Sequence, residues 1–141
     1  MFIACLLTTI YTPTMKSTKI TFWVTTIIIF LFEGLMPALT SQSELAKEGI
    51  RHLGYPEYFG TLLTIFKVVG AVGLVLPMIK GVCKEWIYAG FAFDFIFAFL
   101  SLLIVDGVTP VLLAPVVCMV LLAFSYKAYH KLNPVAVAPT L

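Results

Sequence analysis

The sequence predicts an all-α fold, a four-span transmembrane helical bundle with a short interfacial helix in its first loop. Three observations carry this expectation. Of 141 residues, 61% are hydrophobic and only 11% are charged, at a mean hydropathy of +1.05. A soluble domain carries about a quarter charged residues, so most of this chain is suited to lipid. Four stretches, 20–39, 58–79, 86–105 and 110–128, each offer the roughly 20 mostly apolar residues that cross a bilayer core. The links between them are polar: residues 40–57, a basic turn at 80–85, and "DGVTP" at 106–110.

Residues 1–15 read as an N-terminal extension, disordered or the product of an upstream start. The apolar run in "MFIACLLTTIYTPT" is too short to span, and no basic residue precedes it as a signal peptide requires. Met15, followed by "KSTK", is the more natural beginning. The membrane domain is then 16–132, with a tail over 133–141. In the first span Thr26, Glu33, Pro37 and Thr40 align on one face.

In the first loop Ser41 stands three residues before Glu44, the spacing of a capping box. Leu45, Gly49 and Leu53 follow at helical spacing, and Gly54 is a stop signal. The expected interfacial helix turns Leu45, Ile50 and Leu53 to the membrane. Pro56 suits the first turn of the second span, where Gly60, Thr64, Lys67 and Ala71 share a face. In the third span Gly90, Asp94, Ala98 and Ser101 form a small polar stripe. Phe91, Phe93, Phe95, Phe97 and Phe99 cover much of the rest. Small residues permit close helix approach, so the stripe is expected to face the bundle. Pro110 opens the fourth span, and Pro115 predicts a local kink. Cys118 reads as packing, and Trp23, Trp86, Tyr88, Tyr126 and Tyr129 as an interfacial aromatic belt.

Short links make neighbouring spans antiparallel and bring both termini to one side. Lys16, Lys19, Lys80, Lys84, Lys127 and Lys131 fall on that side, against Lys47 and Arg51 on the other. By the positive-inside rule both termini face the cytoplasm, and the expected location is a cell inner membrane.

Composition also excludes function classes. A net charge of +2 without a Lys/Arg cluster gives no nucleic-acid footprint. Cys5, Cys83 and Cys118 are scattered, and the two His are far apart, so neither a metal site nor a disulfide framework is expected. No nucleotide loop, nucleophile–base pair or haem motif identifies a catalytic residue, and whether the protein is an enzyme stays open.

What remains is charge where charge is costly. Glu33, Lys67 and Asp94 lie within spans, and at the bilayer centre such groups cost about 2.5–3.5 kcal/mol each on insertion scales. Counting a rise of about 1.5 Å per residue from the cytoplasmic ends puts Glu33 and Lys67 at a common depth and Asp94 about one turn lower. Lys67 is long enough to reach either carboxylate. Two carboxylates and one ammonium would carry a net −1 if all were ionised. Either one acid keeps its proton, or a cation or polar ligand completes the cluster. Proton relays and substrate sites have this composition, and so does a structural ion pair that locks a bundle.

"HLGYPEYF" (52–59), "KVVGAVGLVLP" (67–77), "KEWIYAGFAFDFIFAFLS" (84–101) and "SYKAYHKL" (125–132) occur in that order. Together they resemble the DoxX-like family of small bacterial membrane proteins, over about residues 15–132. The resemblance implies a four-helix integral membrane protein. It also marks Lys67, Gly70, Glu85, Trp86, Tyr88, Gly90, Phe91 and Asp94 as positions characteristic of the family. Many relatives carry a histidine after the serine that corresponds to Ser101, whereas here Leu102 follows.

Three functions compete. The leading expectation is a protein that binds a small hydrophobic or quinone-type molecule, or a membrane redox partner, around Glu33, Lys67 and Asp94. No cofactor is evident from motifs, and a quinone is the one this reading would take. The second is a proton-coupled small-solute transporter, for which four spans imply a homodimer. The third is a structural or assembly subunit of a membrane complex, its charges fixing helix register. The lipid bilayer is a partner in all three.

Overall fold

A computed structural model describes residues 15–134. The expected N-terminal extension up to residue 14, and the tail beyond residue 134, lie outside the described residues. The regular secondary structure of the described residues is all helical, with no strand. Helix α1 spans Met15–Thr40, α2 Glu44–His52, α3 Glu57–Val75, α4 Val82–Val105, and α5 Leu113–Leu132. A single 3-10 turn, Pro110–Leu112, leads into α5. The four long segments are each long and apolar enough to cross a membrane.

Proline chemistry sets several boundaries. α3 stops at Val75, short of the expected 79, because Leu76 precedes Pro77 and takes an extended conformation. Pro56 is the N-cap of α3 rather than part of its first turn. Pro115 lies in the first turn of α5. An N–H there has no intrahelical partner to lose, so the helix accommodates the proline.

Pro37 has the larger effect. Its ring conflicts with the carbonyl four residues back, which belongs to Glu33. α1 answers with a π-helical stretch over Phe30–Leu35, in which the Met36 N–H donates to the Leu31 carbonyl five residues earlier. The widened turn therefore contains Glu33 itself.

Consecutive long helices run antiparallel and close into a ring. α1 packs on α3 and α5, and α4 packs on the same two. The α3–α4 seam is the least closely packed of the four. Elsewhere glycine brings backbones together: a Cβ on Gly34 would lie 2.7 Å from the Ala71 Cβ, which puts α1 hard against α3 beside Glu33. The core holds Ile29, Ala71, Leu74, Tyr88, Phe91, Phe95, Leu122 and Tyr129.

Two expectations about faces are corrected here. Phe91 and Phe95 fill the core, whereas Phe93 and Phe97 are about 60% exposed, so the Phe-rich surface of α4 divides between the bundle and the outside. Tyr88 and Tyr129 are buried rather than belted at an interface, while Trp23 and Trp86 are exposed.

Buried polar groups tie the bundle together. Thr26, Ser125 and Tyr88 form a hydroxyl chain across α1, α5 and α4, at 2.8 Å (Thr26–Ser125) and 2.9 Å (Tyr88–Ser125). The Lys84 side chain, expected as a topology signal in a basic turn, is buried. Its Nζ donates to the carbonyls of Gly73 at 3.1 Å and Leu74 at 2.5 Å. A cation there offsets the negative end of α3 and occupies its terminal carbonyls.

Candidate functional site

Glu33 on α1, Lys67 on α3 and Asp94 on α4 come together in one cluster. Lys67 Nζ donates to Glu33 Oε2 at 2.7 Å and lies 3.0 Å from Asp94 Oδ2. The three side chains are between 13% and 19% exposed, mostly buried but open on one side. The two carboxylates are not equivalent. Glu33 receives a directed hydrogen bond from the ammonium. Asp94 Oδ2, also buried, pairs with the same ammonium at a longer and less well aligned contact of 3.0 Å.

The π-helical turn, the Gly34–Ala71 contact and the length of the Lys67 side chain together make the meeting possible. The first two bring α1 close to α3 at the level of the cluster, and the third bridges the remaining gap to α4.

Cys118 is a fourth member that the sequence reading missed. Its Sγ donates to Glu33 Oε1 at 3.6 Å, so the thiol adds a contact from α5. The available signal was depth: counting about 1.5 Å per residue from residue 128 places Cys118 roughly 15 Å in, near the level of the charges.

The open side of the cluster is the loose α3–α4 seam. A cavity of about 540 Å³ lies there, bounded by Phe59, Leu63, Phe66 and Lys67 of α3 and by Gly90, Asp94, Phe97, Ala98 and Ser101 of α4. A second cavity, about 370 Å³, continues along the seam past Gly70, Trp86 and Ile87 and shares Lys67, Gly90 and Asp94 with the first. The stripe Gly90–Asp94–Ala98–Ser101 therefore lines a groove instead of a packed contact. A Cβ on Gly90 would meet nothing within 4 Å.

Helix α2 covers one end of the larger cavity, to which Ile50, Leu53 and Tyr55 contribute. Its N-cap is Ser43, whose hydroxyl accepts from the Ala46 N–H, and not the Ser41 expected from the capping-box spacing. Gly54, with φ +83°, ends the helix as expected. Ile50 seats on Gly60 of α3.

Three polar contacts fasten the cover. Arg51 donates to Glu57 at 2.6 and 2.9 Å, His52 Nε2 lies 2.6 Å from Asp106, and the Tyr55 and Ser101 hydroxyls are 2.7 Å apart. The Glu57 carboxylate raises the Arg51 guanidinium above its ordinary value, chiefly through the hydrogen bond. Of the residues expected to turn toward the membrane, Leu45 is fully outward, while Ile50 and Leu53 face the groove.

The arrangement offers an apolar, partly open groove with an ammonium and a carboxylate on its wall. It can exclude water, hold a flat or extended apolar molecule, and present one donor and one acceptor to it. Among the described residues, no group of three or more His, Cys, Asp or Glu side chains is placed to hold a metal ion.

Comparison with curated proteins and with solved structures gives no match. A match to the DoxX-like family covers residues 21–125 and so includes Glu33, Lys67, Asp94, Cys118 and the whole α3–α4 seam. The chain is a multi-pass membrane protein that belongs to the DoxX-like family.

Proposed function

We propose that this protein binds a small hydrophobic molecule of quinone type in the α3–α4 groove, with Lys67 and Asp94 as its polar contacts. The single observation that supports the reading most is that both groups lie on the walls of two adjoining apolar cavities. Ligand pockets are typically about 300–1,000 Å³, mostly apolar, with a few convergent polar groups, and the larger cavity, about 540 Å³, fits that description. An ammonium has three donors. Lys67 uses one on Glu33 and turns another toward Asp94, which leaves a third for a carbonyl oxygen. Glu33 holds the Lys67 head in place and lies off the cavity walls.

The chain would sit in a cell inner membrane with both termini in the cytoplasm, as the distribution of lysines suggests. A ligand would reach the groove sideways from the lipid.

Trp86 lines the smaller cavity and provides a reporter. In a Trp23→Phe background, a short-chain benzoquinone added to protein in lipid nanodiscs should quench Trp86 fluorescence saturably. Asp94→Asn should weaken the saturation. Quenching that rises linearly with quinone, as in protein-free controls carrying a tryptophan peptide, would overturn the proposal.

A further inference from the structure

The two cavities differ in chemistry, and the difference orients a ligand. The larger one, under α2, carries the Tyr55 and Ser101 hydroxyls besides Lys67 and Asp94. The smaller one, toward Trp86, adds only apolar or aromatic residues to the shared pair, among them Val69, Gly70 and Ile87. Gly90 borders both, with open space where a side chain would project. A polar head therefore belongs under α2, and an apolar tail belongs past Gly90.

The shared pair has a further asymmetry. Lys67 has a donor to spare, and Asp94, a carboxylate 3.0 Å from its ammonium, can only accept. A carbonyl oxygen can satisfy only the ammonium, because it has no proton to give. A hydroxyl satisfies both, accepting from Lys67 and donating to the Asp94 carboxylate.

We propose that the groove takes an amphipathic molecule from the lipid phase, with a hydroxyl-bearing aromatic head against Lys67 and Asp94 under α2 and an apolar tail past Gly90 toward Trp86. Of a quinone couple, the reduced quinol is the form held. This rests on the reading of the groove as a quinone-type site and adds to it the redox form and the direction of the ligand.

The test compares four ligands in nanodiscs under anaerobic conditions: a decyl-substituted benzoquinone, its quinol, and the tail-free counterpart of each. Wild-type protein and Gly90→Leu are titrated calorimetrically. The isobutyl group introduced by Gly90→Leu projects into open groove, so this variant folds as the wild type does, and circular dichroism checks that it has. The decyl quinol should bind about tenfold tighter than the decyl quinone, the worth of one hydrogen bond to a charged group. Gly90→Leu should remove the advantage of the tail, so that the decyl and tail-free quinols bind that variant alike.

Equal or tighter binding of the oxidised form would overturn the assignment of redox form. A tail that adds no affinity, or a Gly90→Leu variant that retains the full tail effect, would overturn the direction. Either result leaves the groove as a quinone-type site. Failure of all four ligands to bind would overturn that site itself, and this inference with it.

Discussion

Replacing Lys67 by methionine removes the one cation that two carboxylates share. At an effective dielectric of about 20, unit charges 4 Å apart attract by about 4 kcal/mol, and Lys67 lies closer than that to both Glu33 and Asp94. Desolvation already consumes much of that attraction, so the pairs add little net stability over an apolar packing. Removing one partner is different, because it strands the others: breaking a buried pair costs about 3–5 kcal/mol. The expected value is about 3 kcal/mol, the low end, because the cluster is open to the groove on one side. The triple variant Glu33→Gln, Lys67→Met, Asp94→Asn strands nothing and should return to within about 1 kcal/mol of wild type. Unfolding in mixed micelles by SDS titration, followed by circular dichroism, measures both. A Lys67→Met protein as stable as wild type, or a triple variant as weak as the single one, would refute the shared-cation account.

Other parts of the bundle give equally direct expectations. Gly34→Ala places a methyl group 2.7 Å from the Ala71 Cβ, and overpacking of this kind costs about 1–3 kcal/mol. Ala71→Gly in the same protein should recover most of the loss in the same SDS titration. Lys84→Met leaves the Gly73 and Leu74 carbonyls without their donor, a loss of about 2–3 kcal/mol read as a lower melting temperature in detergent. Ser125→Ala cuts the hydroxyl chain between Thr26 and Tyr88. Interhelical hydrogen bonds in membranes average about 0.6 kcal/mol with a maximum of about 1.7, so a double-mutant cycle of Ser125→Ala with Tyr88→Phe should give a coupling within that range.

Much of the fold was legible because lipid imposes simple rules. Long apolar runs with polar links identify the spans, and a charge in such a run needs a partner. That cost is why Glu33, Lys67 and Asp94 could be set together from depth and facing alone. The same solvent hides the rest. In water, Phe91 and Phe97 would be separated by a polar face. In lipid both the interior and the exterior of α4 are apolar, and nothing in the residue type says which phenylalanine is core. Hence the polar stripe reads as a packed face although it lines a groove. Lys84 reads as a topology signal in its basic turn, whereas its long chain turns inward to the end of α3. The π-helical turn had a readable cause in Pro37, four residues after Glu33, although the proline rule alone does not distinguish a kink from a widened turn.

The central claim is that the α3–α4 groove is a binding site for a molecule drawn from the membrane. Native mass spectrometry of the protein released from its own membranes, wild type beside Gly90→Leu, tests it most directly. The account predicts a hydrophobic small-molecule adduct on the wild type, with a mass consistent with a quinone or quinol, that is lost or much reduced in Gly90→Leu. A wild-type protein that carries only bulk lipids would contradict it, and an adduct retained equally by both proteins would contradict the placement of its tail past Gly90.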